Sequence, residues 1–453
     1  MKELDLQDKY IVNFLCERQD GLQYKEAKAN TVSSQFFLVE DLKQFLSETT
    51  LNKENYKKLL RKFGNEKELL ELVTNELYGR LKSSANMALF INTNKTITIN
   101  GITLHLFYPS GSETQEDKLF DQNIFSVIQE LPYIYKHQGK QIFSFRPDLS
   151  FFLNGIYLGY SELKSSYTNQ NARSNGRKKV AKDYLSAVQE YLIIAEDNDL
   201  TQSIRKDYLK IFEKAIHITS TDLNETYVIR SISNLFEEIK SIVSANSYDF
   251  TLYENKIEKE FKQYPVRNRE ANKTQRFEEV FKALYDKKMI EKEILYYNFI
   301  ERDLIKKEGS RTKEYKHNDG RLISPRPKQK FGTDKILSKI DEFLEHENEP
   351  DYFIRKLEKE LRDKGIGEER IKELVARRQK YQNNKNVYSL LLQYSAGFGK
   401  SNIIGWTALQ LKDLRKDGQY VYDKIMLVVD RLQLRDQLDT MLHNMNIQKG
   451  MFI

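Results

Sequence analysis

The spacing of apolar positions along this chain changes several times, and each change marks a different element. Up to about residue 80 they recur every three or four residues: Leu42, Phe45 and Leu46, then Leu59 and Leu60, then Leu69, Leu70, Leu72, Val73 and Leu77. That period keeps them on one side of a helix and predicts an amphipathic helical lead-in. From Ala88 to Pro109 the pattern becomes β-branched, aromatic and alternating, with a turn at Asn100-Gly101, and predicts strands. Two apolar, aromatic-rich runs then flank Asn154-Gly155 between Arg146 and Lys164. A polar, basic loop follows, and then a helix over Asp183–Ala195. Ala215–Ser220 and Thr226–Arg230 read as two more strands. From about Ile232 to Ile305 the chain reads as helical and highly charged. The pattern breaks down between Lys306 and Lys330, around Gly309, Gly320, Pro325 and Pro327, as at a domain boundary. Beyond it, Asn386–Gln393 and Lys424–Asp430 read as buried strands, each followed by a helix. Three parts are expected: 1–235, 236–330 and 331–453.

Asn-Gly between apolar runs is a strong hairpin signal, and its register decides the chemistry. A two-residue loop would pair Asp148 with Ser161, and paired residues share a face, so Asp148 would point away from Glu162 and Lys164. A three-residue loop, Leu153 to Gly155, pairs Phe152 with Ile156 and Asp148 with Tyr160. Period-two alternation then puts Asp148, Glu162 and Lys164 on one face. The expected turn is therefore the three-residue one with a G1 bulge at glycine. Asp148 and Glu162 become diagonal neighbours roughly 7–8 Å apart at the backbone.

Two acids and a lysine at the open end of a hairpin fit the PD-(D/E)xK nuclease motif. The wording around them, Arg146-Pro147-Asp148-Leu149, Leu153-Asn154-Gly155-Ile156 and Glu162-Leu163-Lys164, resembles the restriction subunit of type I restriction–modification enzymes. The resemblance implies a metal-dependent endonuclease with Asp148, Glu162 and Lys164 as catalytic residues and Asp148 and Glu162 as ligands to Mg²⁺, a cation suited to hard oxygen donors. Family members often carry another acid on the first helix, for which Glu71 and Glu76 are indistinguishable here. The family's Gln…Tyr element has no counterpart at its usual spacing, since Gln189 and Tyr191 lie two apart. Arg173, Arg177, Lys178 and Lys179 are candidate phosphate contacts to double-stranded DNA.

A second motif lies between the two late strands. Tyr394-Ser395-Ala396-Gly397-Phe398-Gly399-Lys400-Ser401 stands between an apolar run and a helix, the context of a P-loop. Gly397, Gly399, Lys400 and Ser401 are candidate nucleotide contacts, with ATP as the implied cofactor. Tyr394 stands where the strict pattern has glycine, and Phe398 fills the variable slot. Pro325-Arg326-Pro327-Lys328-Gln329 resembles the adenine-reading Q-motif of superfamily 2 helicases, adding Gln329. Val428-Val429-Asp430-Arg431, closed by Gln437, resembles the next motor element of the type I family. No acid-pair motif follows Lys400, so the chain reads as an N-terminal portion of a longer subunit with an incomplete motor. The expected fold is mixed α/β: a PD-(D/E)xK core with a mixed sheet and flanking helices, a helical region, and the start of a RecA-like parallel lobe.

Composition narrows the setting without naming a function. The 453 residues carry 73 Lys and Arg against 66 Asp and Glu, a net charge of +7, which suits a polyanion partner. One cysteine, Cys16, rules out an internal disulfide and fits a reducing cytoplasm. The N-terminus is too polar for a signal peptide, and no apolar run approaches the roughly 20 residues of a membrane span. The resemblance adds modification and specificity subunits as partners and ATP-driven translocation in the whole subunit. Two alternatives stand beside it: a nuclease–helicase of another defence system, and a catalytically silent DNA- or subunit-binding module.

Overall fold

A computed structural model of the chain describes residues 7–28, 32, 36–111, 118–137, 140–165, 169–196, 209–243, 250–268, 270–302, 304–306, 313–315, 320–349, 351–381 and 389–449. It is a mixed α/β protein. A π-helical segment, Gln7–Glu17, precedes the two-residue strand β1 (Lys25–Glu26) and four helices: α1 (Val39–Glu48), α2 (Lys53–Phe63), α3 (Glu66–Ser83) and α4 (Met87–Thr93). The helical lead-in is therefore present, with Leu42, Phe45, Leu59, Leu69, Val73 and Leu77 all buried. Residues 88–92 depart from their strand-like pattern and lie in α4. The Asn86 carboxamide accepts from Leu89 N at 3.0 Å, and that cap starts a helix before the apolar run can pair. The strands predicted beyond it form: β2 (Thr96–Ile99) and β3 (Ile102–His105) pair antiparallel through Asn100-Gly101.

The sheet that organises the fold has seven strands in the order β1-β4-β7-β8-β9-β10-β11. Its later members are β4 (Phe125–Gln129), β7 (Leu149–Leu153), β8 (Ile156–Leu163), β9 (His217–Thr221), β10 (Thr226–Ile229) and β11 (Lys262–Gln263). Between β4 and β7 the chain folds out a separate hairpin, β5 (Tyr133–His137) and β6 (Lys140–Phe145). Pairing is antiparallel except β1–β4 and β8–β9. The β8-to-β9 connection carries α5 (Arg177–Glu196), as a parallel crossover requires. Both faces are covered, so β7 and β8 are apolar nearly throughout rather than alternating. On one face Phe151 stacks on Tyr285 at 4.0 Å between ring centroids, and Tyr24 meets Phe151 edge-on. On the other, Tyr160 packs against Phe145 and Phe212.

Helices α6 (Phe236–Val243), α7 (Phe250–Glu260), α8 (Lys273–Tyr285) and α9 (Lys287–Lys292) follow. Their buried side chains, from Phe236 and Ile257 to Phe281, Tyr285 and Ile290, join the core of the sheet. Short strands β12 (Phe299–Glu301) and β15 (Arg321–Ile323) pair across the next stretch, as do β13 (Leu304–Lys306) and β14 (Lys313–Tyr315). Then come α10 (Pro327–Glu345), α11 (Tyr352–Asp363), α12 (Glu368–Tyr381), α13 (Lys400–Lys412) and α14 (Leu432–Lys449). A second, smaller core gathers Tyr297, Phe299, Ile336, Ile403, Trp406, Leu409, Met441 and Met445. Gly405 lets α13 and α14 close on each other, for a Cβ there would stand 2.7 Å from the sulfurs of Met441 and Met445.

The two late strands are a correction. Residues 386–388 lie outside the described residues, and 389–393 and 424–429 form no ladder. Leu391 is 96% exposed and Val428 83%. A parallel strand needs strand partners to pair with, and among the described residues neither run has one, although Ile425 packs against the second core. No described helix is long and apolar enough to cross a membrane.

Candidate active site

The turn at the tip of β7–β8 is tighter than expected. Leu153 pairs with Ile156, and Asn154 and Gly155 both take positive φ, 51° and 80°, the signature of a two-residue type I′ turn. The Asn154 carboxamide donates to Leu106 O and to Asn123 Oδ1, both at 2.9 Å. It also accepts from Ile124 N at 2.7 Å. A Cβ on Gly155 would stand 2.4 Å from Leu38 O. The expected three-residue loop is therefore wrong: neighbouring segments hold asparagine in the left-handed position.

A two-residue turn alone would have sent Asp148 to the wrong face. The register shifts between Phe151 and Phe152, so that Phe152 faces Tyr157 and Phe151 faces Gly159. Leu158 is the extra residue of a β-bulge, placed mid-strand rather than in the turn. Gly159 follows because β9 approaches closely: a Cβ there would meet His217 O at 2.3 Å. Beyond the bulge Leu149 pairs with Ser161 and Ser150 with Tyr160, so Tyr160 is not the partner of Asp148, which lies just outside the ladder on the side of Glu162 and Leu163. The two acids and Lys164 come together at the open end of the hairpin: Asp148 feels the charge of both Glu162 and Lys164, and Lys164 contacts Glu162.

The surroundings are tight. Asp148 Oδ2 accepts from Leu163 N at 2.6 Å. Glu162 is fully buried. Its Oε1 accepts from Lys164 Nζ at 2.7 Å and from Lys179 Nζ at 2.6 Å, while its Oε2 is buried with no hydrogen-bond partner. Lys164 also donates to Leu163 O at 2.8 Å. Gly176 lets the start of α5 press on this lysine, since a Cβ there would lie 3.2 Å from Lys164 Cγ and 2.1 Å from Ser220 Oγ. Burial, and then the charge of Glu162, push the Asp148 carboxyl from 3.8 up to about 7.

Helix α5 adds a residue not foreseen in the site. Asp183 lies one turn beyond Lys179, and its Oδ2 is buried without a hydrogen-bond partner. Burial raises its pKa to about 6 against the pull of Lys179 and Lys164, and Asp148 adds to the rise. The Tyr160 hydroxyl is likewise buried without a partner. The i, i+4 spacing of Lys179 and Asp183 was present in the sequence, but nothing in the pattern said which helix covers the hairpin. Glu71 and Glu76 are exposed on α3, and Glu76 pairs with Arg80.

The basic segment is corrected too. Ala172–Gly176 form a π-helical turn and α5 begins at Arg177, so Arg177, Lys178 and Lys179 lie on a helix and not in a loop. Arg173 is exposed. The Arg177 guanidinium lies 4.7 Å from the centroid of the Tyr227 ring and donates to Glu258 O at 3.2 Å. Lys178 stands 3.6 Å from Glu254. Of the four proposed DNA contacts, Lys179 alone reaches the acids.

Among the described residues, no three His, Cys, Asp or Glu side chains gather tightly enough for one metal ion. The donor set still fits a hard divalent cation in kind: carboxylates gathered at the open end of the hairpin, with two buried carboxylate oxygens, Glu162 Oε2 and Asp183 Oδ2, lacking partners.

The candidate nucleotide residues also come together. Gly397 and Gly399 take positive φ, 71° and 84°, and α13 starts at Lys400 with Gly399 as its N-cap. Lys400 Nζ donates to Ser395 O at 3.2 Å, and Ser401 lies in the first helical turn. Gln329 is buried at the start of α10, with both ends of its carboxamide engaged: Oε1 accepts from Arg326 N and Nε2 donates to Phe398 O, both at 2.7 Å. Gln329 therefore props the turn from behind. Tyr394 and Phe398 stack at 4.7 Å.

No family profile, curated protein or solved structure matches this chain. Its function is argued from the geometry above.

Proposed function

We propose that this chain is the endonuclease part of a DNA-cleaving machine, and that Asp148, Glu162 and Lys164 form its hydrolytic centre. One observation carries the reading: the open end of the hairpin gathers both acids and the lysine, the Asp148 carboxylate accepting from Leu163 N between Glu162 and Lys164, and Lys164 Nζ lying 2.7 Å from Glu162 Oε1. A structural role alone does not call for a buried carboxylate oxygen without a partner, because burying one is costly. Asp148 and Glu162 would hold Mg²⁺, which would supply Lewis-acid polarisation of a phosphate and a more acidic water. The Lys164 ammonium faces the charge that develops on the phosphate oxygens. Without the cation, burial and the charge of Glu162 raise the Asp148 carboxyl to about 7, so cation binding near neutral pH displaces a proton from it. The exposed basic residues Arg173 and Lys178 hold the DNA backbone. The turn at Gly397–Ser401 binds ATP phosphates through backbone N–H groups and the start of α13. By resemblance, the partners are the modification and specificity subunits of a type I complex in the cytoplasm.

The test is cleavage of supercoiled plasmid with Mg²⁺, with and without ATP and such subunits. The wild-type chain is expected to cut in at least one mixture. Glu162→Gln and Lys164→Ala are each expected to lower the rate on the order of a hundredfold or more. Equal cutting by wild type and both variants would sink the assignment. A catalytically silent binding module is favoured by one feature, the neutralisation of Glu162 by two lysines. Metal-dependent cleavage that disappears in Asp148→Ala excludes it.

A further inference from the structure

The acids of the hairpin already hold a cation of the protein's own. Lys179 Nζ lies 2.6 Å from Glu162 Oε1, although its side chain is 39% exposed and Glu162 is fully buried. Lys164 occupies the same oxygen from within. The two lysines differ in how they are held. Lys164 directly follows β8, lies under Gly176 and has a second acceptor in Leu163 O. Lys179 comes in from solvent on a long side chain. One turn along α5, at the i, i+4 distance where side chains meet, stands Asp183 with an unpartnered buried oxygen. A single ammonium thus has two carboxylates within reach, Glu162 across the site and Asp183 on its own helix.

We propose that Lys179 is a resident counter-ion that blocks divalent-cation binding at Asp148 and Glu162, and that Asp183 receives its ammonium when the cation enters. This rests on the nuclease reading of the same site. In the observed state the lysine offsets part of the Glu162 charge and so weakens the repulsion between the buried acids. On cation binding it turns away from Glu162 to Asp183, so no ammonium is left crowded against a divalent ion. Lys179 and Asp183 are positioning residues here and touch no substrate.

The proposal predicts opposite effects for adjacent turns of one helix. Mn²⁺ binding to the full chain would be measured by calorimetry and by paramagnetic resonance, for wild type, Lys179→Met, Asp183→Asn and the double variant. Lys179→Gln repeats the first substitution with a polar side chain, and circular dichroism verifies folding. Removing Lys179 is expected to tighten Mn²⁺ binding roughly tenfold, and Asp183→Asn to weaken it by a similar factor, the range seen when groups around metal ligands are altered. The double variant is expected to match Lys179→Met, because Asp183 has nothing to receive once the lysine is gone. Unchanged or weaker binding in both Lys179 variants overturns the proposal and leaves the nuclease reading standing. Full weakening by Asp183→Asn in the Lys179→Met background also overturns it, since Asp183 would then act as a ligand itself. No Mn²⁺ binding by any form overturns both this proposal and the metal-dependent reading.

Discussion

Residues 148–164 and residues 389–401 each carry a short motif with a lysine at its functional end, and the fold treats them very differently. In the first, every residue from Leu149 to Lys164 is buried, enclosed by a seven-stranded sheet, the β5–β6 hairpin and helices α5 and α8. In the second, the glycine turn and the helix after it are formed, yet the apolar run before them is exposed from Ser389 to Gln393. Both sequences satisfy the local rules of their motifs. Only the hairpin has surroundings that close over both of its faces. A motif fixes which side chains are offered, and the distant elements packed on it fix how they are charged and held.

The largest effect that can break this contrast is a truncation in each region. Phe151 is buried and stacked on Tyr285, so Phe151→Ala should cost about 3–5 kcal/mol in urea-unfolding stability. Leu391, at 96% exposure, should lose less than about 0.5 kcal/mol on the same change. Comparable losses would mean that the run at 389–393 is packed in solution and that the two regions are built alike.

An intermediate effect comes from charge. The raised Asp148 carboxyl, from 3.8 to about 7, binds more protons folded than unfolded across that interval. Its contribution to stability is therefore fully present below pH 4 and is lost as pH rises through 7. Asp148→Asn keeps an acceptor for Leu163 N and removes the charge. The variant should match wild type near pH 4 and exceed it at pH 8 by on the order of 1–2 kcal/mol, a figure kept low for the partial exposure of the group. Parallel stability curves across pH 4–8 would mean that the hairpin acids are as well solvated as exposed ones.

Much of the hairpin was legible because period-two alternation and Asn-Gly are local signals. The gathering of Asp148, Glu162 and Lys164 at its open end followed from them, although the reasoning put the extra residue in the turn. The real bulge at Leu158 depends on β9 closing on Gly159, a parallel partner more than fifty residues along the chain. Asp183 stayed hidden for the same reason, since a helix's sequence does not say which face of which sheet it covers. Ala88–Asn92 misled because a buried helix and a buried strand share an apolar run, and the deciding feature was the Asn86 cap. The apolar runs near 390 and 427 misled in the other direction. Their composition says strand, while a strand forms only beside strand partners, which these runs lack among the described residues.

The smallest effect tests how the exposed turn keeps its shape without a strand before it. The Gln329 carboxamide joins Arg326 N to Phe398 O, and a Cβ on Gly399 would stand 2.4 Å from Gln329 Nε2. That amide is thus the main brace on the turn from α10. Gln329→Ala removes two hydrogen bonds, of which the one to Arg326 N belongs to the cap of α10 and the one to Phe398 O to the turn. A neutral hydrogen bond contributes about 1 kcal/mol net, so amide exchange at Gly399–Ser401 should quicken roughly fivefold, the factor that energy gives. Exchange in β7 and β8 should stay unchanged, because nothing in the hairpin rests on Gln329. Quickening in both places would mean that α10 couples the two regions. No change in either would mean that the turn is held by its own glycines and by the start of α13.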